Sequence, residues 1–122
     1  AVAALRPDVT IVHAQRADRA GTVQLWGITG VQKEAVLAAA RSIVTVEEIV
    51  DHLDARPGAV VLPSWVVTAV VEVRGGAAPS YAHGYSVRDN AAYAAWDGIS
   101  RDRDTFRRWM HDHVLDLVPT GS

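Results

Sequence analysis

VTIVHAQ, residues 9–15, is dense in β-branched side chains and follows Arg6-Pro7-Asp8, a turn signal. It reads as a strand entered from a turn. The residues after it decide what kind of sheet it joins. Residues 22–26, TVQLW, alternate and stop at Gly27, which makes a second strand able to pair with the first as a hairpin. Residues 32–41, QKEAVLAAAR, are good helix formers, and residues 42–46, SIVTV, return to β-branched side chains. Strand, helix and strand in that order point to an α/β layer.

Farther along, residues 47–53 are expected to form a short helix. Arg56-Pro57-Gly58 marks a turn before AVVL at 59–62, a strand of buried type. The apolar run 63–73 ends in another strand at 69–73. Strands this uniformly apolar belong to sheets covered by helices. The expected fold class is therefore α/β, an open layered sheet. Residues 1–118 are expected to form one domain, and Pro119-Thr120-Gly121-Ser122 to form a tail.

Residues 74–85, RGGAAPSYAHGY, change character: glycine and proline permit sharp backbone turns, while Ser80, Tyr81, His83 and Tyr85 supply polar groups among them. Two helices are expected beyond this loop. Asp89 or Asn90 can cap the first, whose apolar face carries Tyr93, Trp96 and Ile99. Asp102 or Asp104 can cap the second, where Phe106, Trp109, Met110, His113, Val114 and Leu117 recur at helical spacing. That stripe reads as core or interface rather than as a cofactor box.

Composition narrows the function. At 122 residues, 49% hydrophobic and 21% charged, the chain can bury a real, if modest, core. A net charge of -2 carries no strong field, so neither nucleic acid nor membrane is expected as a partner. No apolar run approaches the ~20 residues of a membrane span. Residues 1–10 lack a secretory leader pattern, and a cytoplasmic location is expected. The chain opens on Ala1 and its single Met is Met110, the pattern of a processed chain or of part of a longer one. There is no Cys, and His111 and His113 point to different faces of a helix, so no metal site is expected.

No GxSxG elbow, Walker loop, HExxH or GxGxxG motif is present, so no catalytic residue is assigned. Glu47 and Glu48 follow a strand, where a carboxylate could serve a site. They could equally open a solvated helix, and Asp51 favours that reading by continuing an acidic first turn. Trp26 and Gly27 could line a pocket or simply end a strand in the core. The loop that holds Ser80, Tyr81, His83 and Tyr85 is the strongest candidate, set against a plain surface loop.

Several of these segments, taken in order, resemble one family. His13-Ala14-Gln15-Arg16-Ala17-Asp18-Arg19-Ala20-Gly21 resembles the H-x-Q-x-A-D-x-x-G strand and loop of coenzyme A transferase α-type subunits, and Trp26-Gly27 follows as in the glutaconate type. Ile43-Val44-Thr45-Val46-Glu47-Glu48-Ile49 is similar to that family's IVT-x-EEI segment. Gly76-Ala77-Ala78-Pro79-Ser80 resembles its GAHPS loop, with Gly84-Tyr85 and Arg88-Asp89-Asn90 after it. The match runs over about residues 5 to 115.

The resemblance implies an open α/β fold shared with sugar-phosphate isomerases, here an incomplete part of it, from the C-terminal portion of the α-type chain. It implies transfer of coenzyme A between carboxylic acids through a glutamyl thioester carried by a β-type partner subunit. A coenzyme A thioester would be substrate, with no permanently bound cofactor. The pocket residues implied are Trp26, Gly27, Glu47, Glu48, Ser80, Tyr81, His83 and Tyr85. Backbone N–H groups of the glycine loops suit an oxyanion near a thioester. The chain is also similar to the α-type chain of an actinobacterial hydrolase that cleaves a C–C bond in steroid-derived coenzyme A thioesters. One departure stands out: Ala78 occupies the place of the family's His. A changed substrate, or a partner domain without activity, would follow if that His positions substrate; His83 could compensate if the loop folds back.

Overall fold

The computed structural model describes residues 1–116. Leu117 of the expected helical stripe and the expected tail at 119–122 lie outside them. The described residues form two compact units, Ala1–Arg88 and a second that starts at Asp89.

The first unit is built on a five-stranded mixed sheet ordered β4-β2-β1-β3-β5. Its strands are β1 Val9–Asp18, β2 Val23–Leu25, β3 Arg41–Val50, β4 Val60–Leu62 and β5 Ala69–Glu72. The hairpin expected at the start is present: β2 runs antiparallel to β1, with Arg16 opposite Gln24 and Ala17 opposite Val23. β3 runs parallel to β1 from Val9–Arg41 to Asp18–Val50, and β5 runs parallel to β3. β4 closes the other side, antiparallel to β2. The connection from β2 to β3 carries helix α1, Gln32–Ala38. The open α/β sheet read from the sequence is the architecture observed.

The core explains the arrangement. Val12, Ala14 and Ala17 of β1 meet Val44 and Val46 of β3, Val23 and Leu25 of β2, Leu62 of β4 and Val36 of α1. Burying each Val or Leu contributes on the order of 1.5–3 kcal/mol. Val36 is the buried residue of α1, and the Thr10 hydroxyl donates to the Ala35 carbonyl, so the helix is both packed and tied onto β1. α1 stops at Ala38, short of the expected residue 41. Ala40 N–H and Arg41 N–H donate instead to the Pro7 and Asp8 carbonyls, which draws the chain into β3 beside the start of β1.

β3 corrects a second expectation. Residues 47–53 do not form a helix; the strand continues through Val50. Arg16, Ala17 and Asp18 of β1 offer pairing partners to Glu48, Ile49 and Val50, and the Glu72 carboxylate accepts from the Ile49 N–H at 2.8 Å. Pairing with β1 on one flank and the Glu72 carboxylate on the other override a local pattern that favours a helix start.

The second unit holds α2, Asn90–Arg101, and α3, Arg103–Met110, which widens into a π-turn at His111–Leu115. The caps resolve to Asp89, accepting from the Ala92 N–H, and Asp102, accepting from the Thr105 N–H. Aromatic edges join the two helices: Trp96 meets Phe106 at 6.2 Å and Trp109 at 4.8 Å, both edge-on.

Candidate functional site

The parallel register of β1 and β3 places His13 opposite Thr45 and Arg16 opposite Glu48. Residues two apart on a strand share a face, so Glu47 also stands on the side of His13. The His13 ring is held at both nitrogens: Nδ1 lies 2.8 Å from Thr45 Oγ1, and Nε2 lies 2.9 Å from Glu47 Oε1. The other Glu47 oxygen accepts from the Gly75 N–H at 2.7 Å. Glu47 is only 4% exposed, and these two contacts stand in for its lost water. Gly76 lies on the ring itself: a Cβ there would sit 2.9 Å from His13 Cε1 and 2.9 Å from the Val73 carbonyl oxygen. Gln32 of α1 donates to the His13 carbonyl.

Arg16, Glu48 and Tyr85 form a triangle beside this pair. Arg16 Nε donates to the Tyr85 hydroxyl oxygen at 2.7 Å and to Glu48 Oε2 at 3.1 Å, and the Tyr85 hydroxyl donates to Glu48 Oε2 at 2.9 Å. The bond to Tyr85 holds the Arg16 guanidinium above its usual range, with Glu48 adding to it against a smaller opposing effect of burial. Burial pushes the Tyr85 phenol up, and Arg16 pulls the other way.

Trp26 anchors the loop from the other side. The Gln15 side-chain amide bonds both the N–H and the carbonyl of Trp26. The indole Nε1–H of Trp26 donates to the His83 carbonyl at 2.9 Å. Gly27 has φ +84°, and a Cβ on it would lie 2.9 Å from His83 Cβ, so the loop rests where a side chain would stand. Segment 75–85 is thus tied down at Gly75, His83 and Tyr85, and its crest stands over β1.

These contacts leave two clefts. One, of about 300 Å³, is lined by Trp26, Ser80, Tyr81 and His83 from the expected set, with His13 and Gln15. The other, of about 400 Å³, is lined by Glu47, Glu48 and Tyr85 with Arg74 and Gly75. Gly27 lines neither and backs His83 instead. Seven of the eight residues singled out from sequence thus divide between two clefts, with His13 lining one and its partner Glu47 the other. Ala78, in the place of the family's His, is exposed and lines neither cleft. His83 lines the first cleft. Sequence reasoning left out His13, Gln15 and Arg16 as site residues. The signal was present, as polar side chains interrupting a strand of β-branched residues. Among the described residues no group of three or more acidic or His side chains could hold a metal ion, and no helix is long and apolar enough to cross a membrane.

A family model for Coenzyme A transferase matches residues 1–73. The A-type chain of the 3-oxoadipate CoA-transferase of Pseudomonas knackmussii is 61% identical over 114 residues, which cover 93% of this chain and 40% of that one. Among solved structures, glutaconate coenzyme A-transferase from Acidaminococcus fermentans superposes with a TM-score of 0.78 at 32% identity, over 90% of this chain and 35% of that one. The decarboxylase AibA/AibB superposes with a TM-score of 0.72 at 29% identity, over 84% of this chain and 37% of that one. The chain therefore spans well under half the length of the proteins it matches.

Proposed function

This chain belongs to the coenzyme A transferase family, and on that premise we propose that residues 1–118 are an α/β portion of the α-type subunit of an enzyme that moves coenzyme A between carboxylic acids. The observation that carries this reading is the 61% identity, over 93% of the chain, to the A-type chain of a 3-oxoadipate CoA-transferase. By the same identity, a 3-oxo dicarboxylic acid is the acid this enzyme handles. The coenzyme A thioester is substrate, and no cofactor is held permanently. The setting is the cytoplasm.

The acyl group lies in the cleft of Trp26, Ser80, Tyr81 and His83, with Gly27 setting the approach of His83. Glu47, Glu48 and Tyr85 border the second cleft and contribute to the pocket by fixing the loop that separates the two. Glu47 does not serve as the glutamate that carries coenzyme A. It is only 4% exposed and each of its oxygens is held, one by His13 and one by the Gly75 N–H, so it lacks the access to a thioester that a nucleophile needs. That glutamate belongs to a β-type partner subunit, and this chain binds, orients and excludes water.

The test is acceptor dependence. The full α-type chain that carries these residues is assembled with its β-type partner and given a panel of acyl-CoA donors with and without 3-oxoadipate. New 3-oxoadipyl-CoA that forms only with the acid present is the expected result. Release of free coenzyme A or ring-opened product without any acceptor would favour the hydrolase of steroid-derived thioesters. An assembled complex that turns over neither would leave a partner domain without activity.

A further inference from the structure

The two faces of the sheet are filled unequally. Side chains alternate along a strand, and residues paired in register across strands share a face. Val12, Val44 and Val70 make one such row, and it packs with Val36 of α1 in the core. The opposite face carries Ile11, Ile43 and Ala69 in one row and His13, Thr45 and Val71 in the next. Ile11 is 69% exposed there, and Val9 and Val71 are each 47% exposed. Sheets of parallel strands are covered on both faces, and β1, β3 and β5 run parallel. The connections between these strands are spent on the covered side. The one from β1 to β3 puts Val36 of α1 into the core, and the one from β3 to β5 packs Val66 and Val67 against the same cluster. On the bare side the glycine-rich loop reaches the His13 ring through Gly76 and leaves Ile11 open.

We propose that the apolar face of Val9, Ile11, Ile43 and Val71 seats a helix from the remainder of the same α-type chain, folded onto the sheet before any partner subunit binds. The inference rests on the transferase reading, which makes residues 1–118 a portion of a longer chain. The A-type chain that is 61% identical is matched over only 40% of its own length, so a chain of that kind has ample residues to supply the cover. An amphipathic helix buries its apolar stripe on such a face. A sheet needs that cover to fold, which assigns it to the chain itself rather than to a later partner. His13 follows Ile11 on this face and lines the acyl cleft, so the covering helix stands beside the cleft and forms one side of it. In residues 1–122 by themselves the face stays open and Ile11 carries little stability.

Residues 1–122 contain no Cys, so Ile11→Cys and Val71→Cys each place one thiol on this face. The experiment labels each variant of the full α-type chain, purified without its partner, with a water-soluble maleimide and reads the mass of the peptide concerned. Labelling should be slower than in denaturant by about a hundredfold or more, as for a site reached only through local unfolding. The protection should persist on dilution. Labelling near the denatured rate overturns the proposal. Protection that appears only when the partner subunit is added assigns the face to the partner, and protection lost on dilution assigns it to a second copy; either result overturns it too. With two sites, a variant that fails to fold leaves the other to decide. Acceptor-dependent transfer by the unmodified enzyme is measured alongside. Its absence defeats the transferase reading, and this inference with it; open thiols in a chain whose unmodified enzyme transfers defeat the covered face alone.

Discussion

Glu47 shows how one side chain can be read two ways from sequence and one way from structure. As the start of an acidic helical turn it would be solvated; as the residue diagonal to His13 in a parallel ladder it is buried and paired. Glu47→Gln keeps the shape but turns one end into a donor, which cannot accept from both His13 and the Gly75 N–H. The variant is predicted to lose about 1–3 kcal/mol in chemical denaturation. Gly27→Ala is predicted to destabilise by on the order of 1–3 kcal/mol, since φ +84° disfavours any Cβ and His83 occupies the space it needs. Nuclear magnetic resonance of the His83 ring in that variant should show it displaced. The loop residues Ser80, Tyr81, His83 and Tyr85 were legible because glycine, proline and aromatic residues crowd one segment. His13 and Arg16 were marked only as polar side chains within a β-branched strand; what stands opposite them is set by register between distant strands, which the local sequence does not show.

At the scale of elements, the sheet was legible and its edges were not. β-branched runs marked β1, β3 and β4 correctly as strands, while the helix expected at 47–53 lost to pairing with Arg16, Ala17 and Asp18. The shortening of α1 likewise came from carbonyls at Pro7 and Asp8 that no pattern within the helix reveals. The core makes a direct prediction. Leu25 is fully buried and Ile11 is 69% exposed on β1, so Leu25→Ala should lower stability by about 2–5 kcal/mol and Ile11→Ala by far less, as read from denaturation midpoints. The cap of α3 predicts a pH dependence. Hydrogen bonds from Thr105 hold the Asp102 carboxyl below its ordinary range. A depressed carboxyl stabilises the fold above its unfolded value and loses that contribution as pH falls through the folded one. The stability difference between the protein and Asp102→Ala should therefore be present at neutral pH and shrink steadily below about pH 4, the ordinary aspartate value. Parallel thermal melts across that range measure it.

At the scale of the whole molecule, the ordered motifs carried more than any single residue. A sheet of this order with a glycine-rich loop folded over β1 could serve many chemistries, and the likeness to a decarboxylase with a TM-score of 0.72 shows that the fold alone does not choose among them. The proposed function, in which this chain shapes the acyl site while a partner carries the coenzyme, rests on the identity to a CoA-transferase chain and on the burial and pairing of Glu47. That division of labour has a direct signature. The assembled enzyme is mixed with an acyl-CoA donor in the absence of acceptor acid, quenched, and its subunits weighed intact. A mass increase matching coenzyme A on the partner subunit, with none on this chain, is the predicted result. An adduct on this chain, or turnover of the donor with no adduct on either chain, would contradict it.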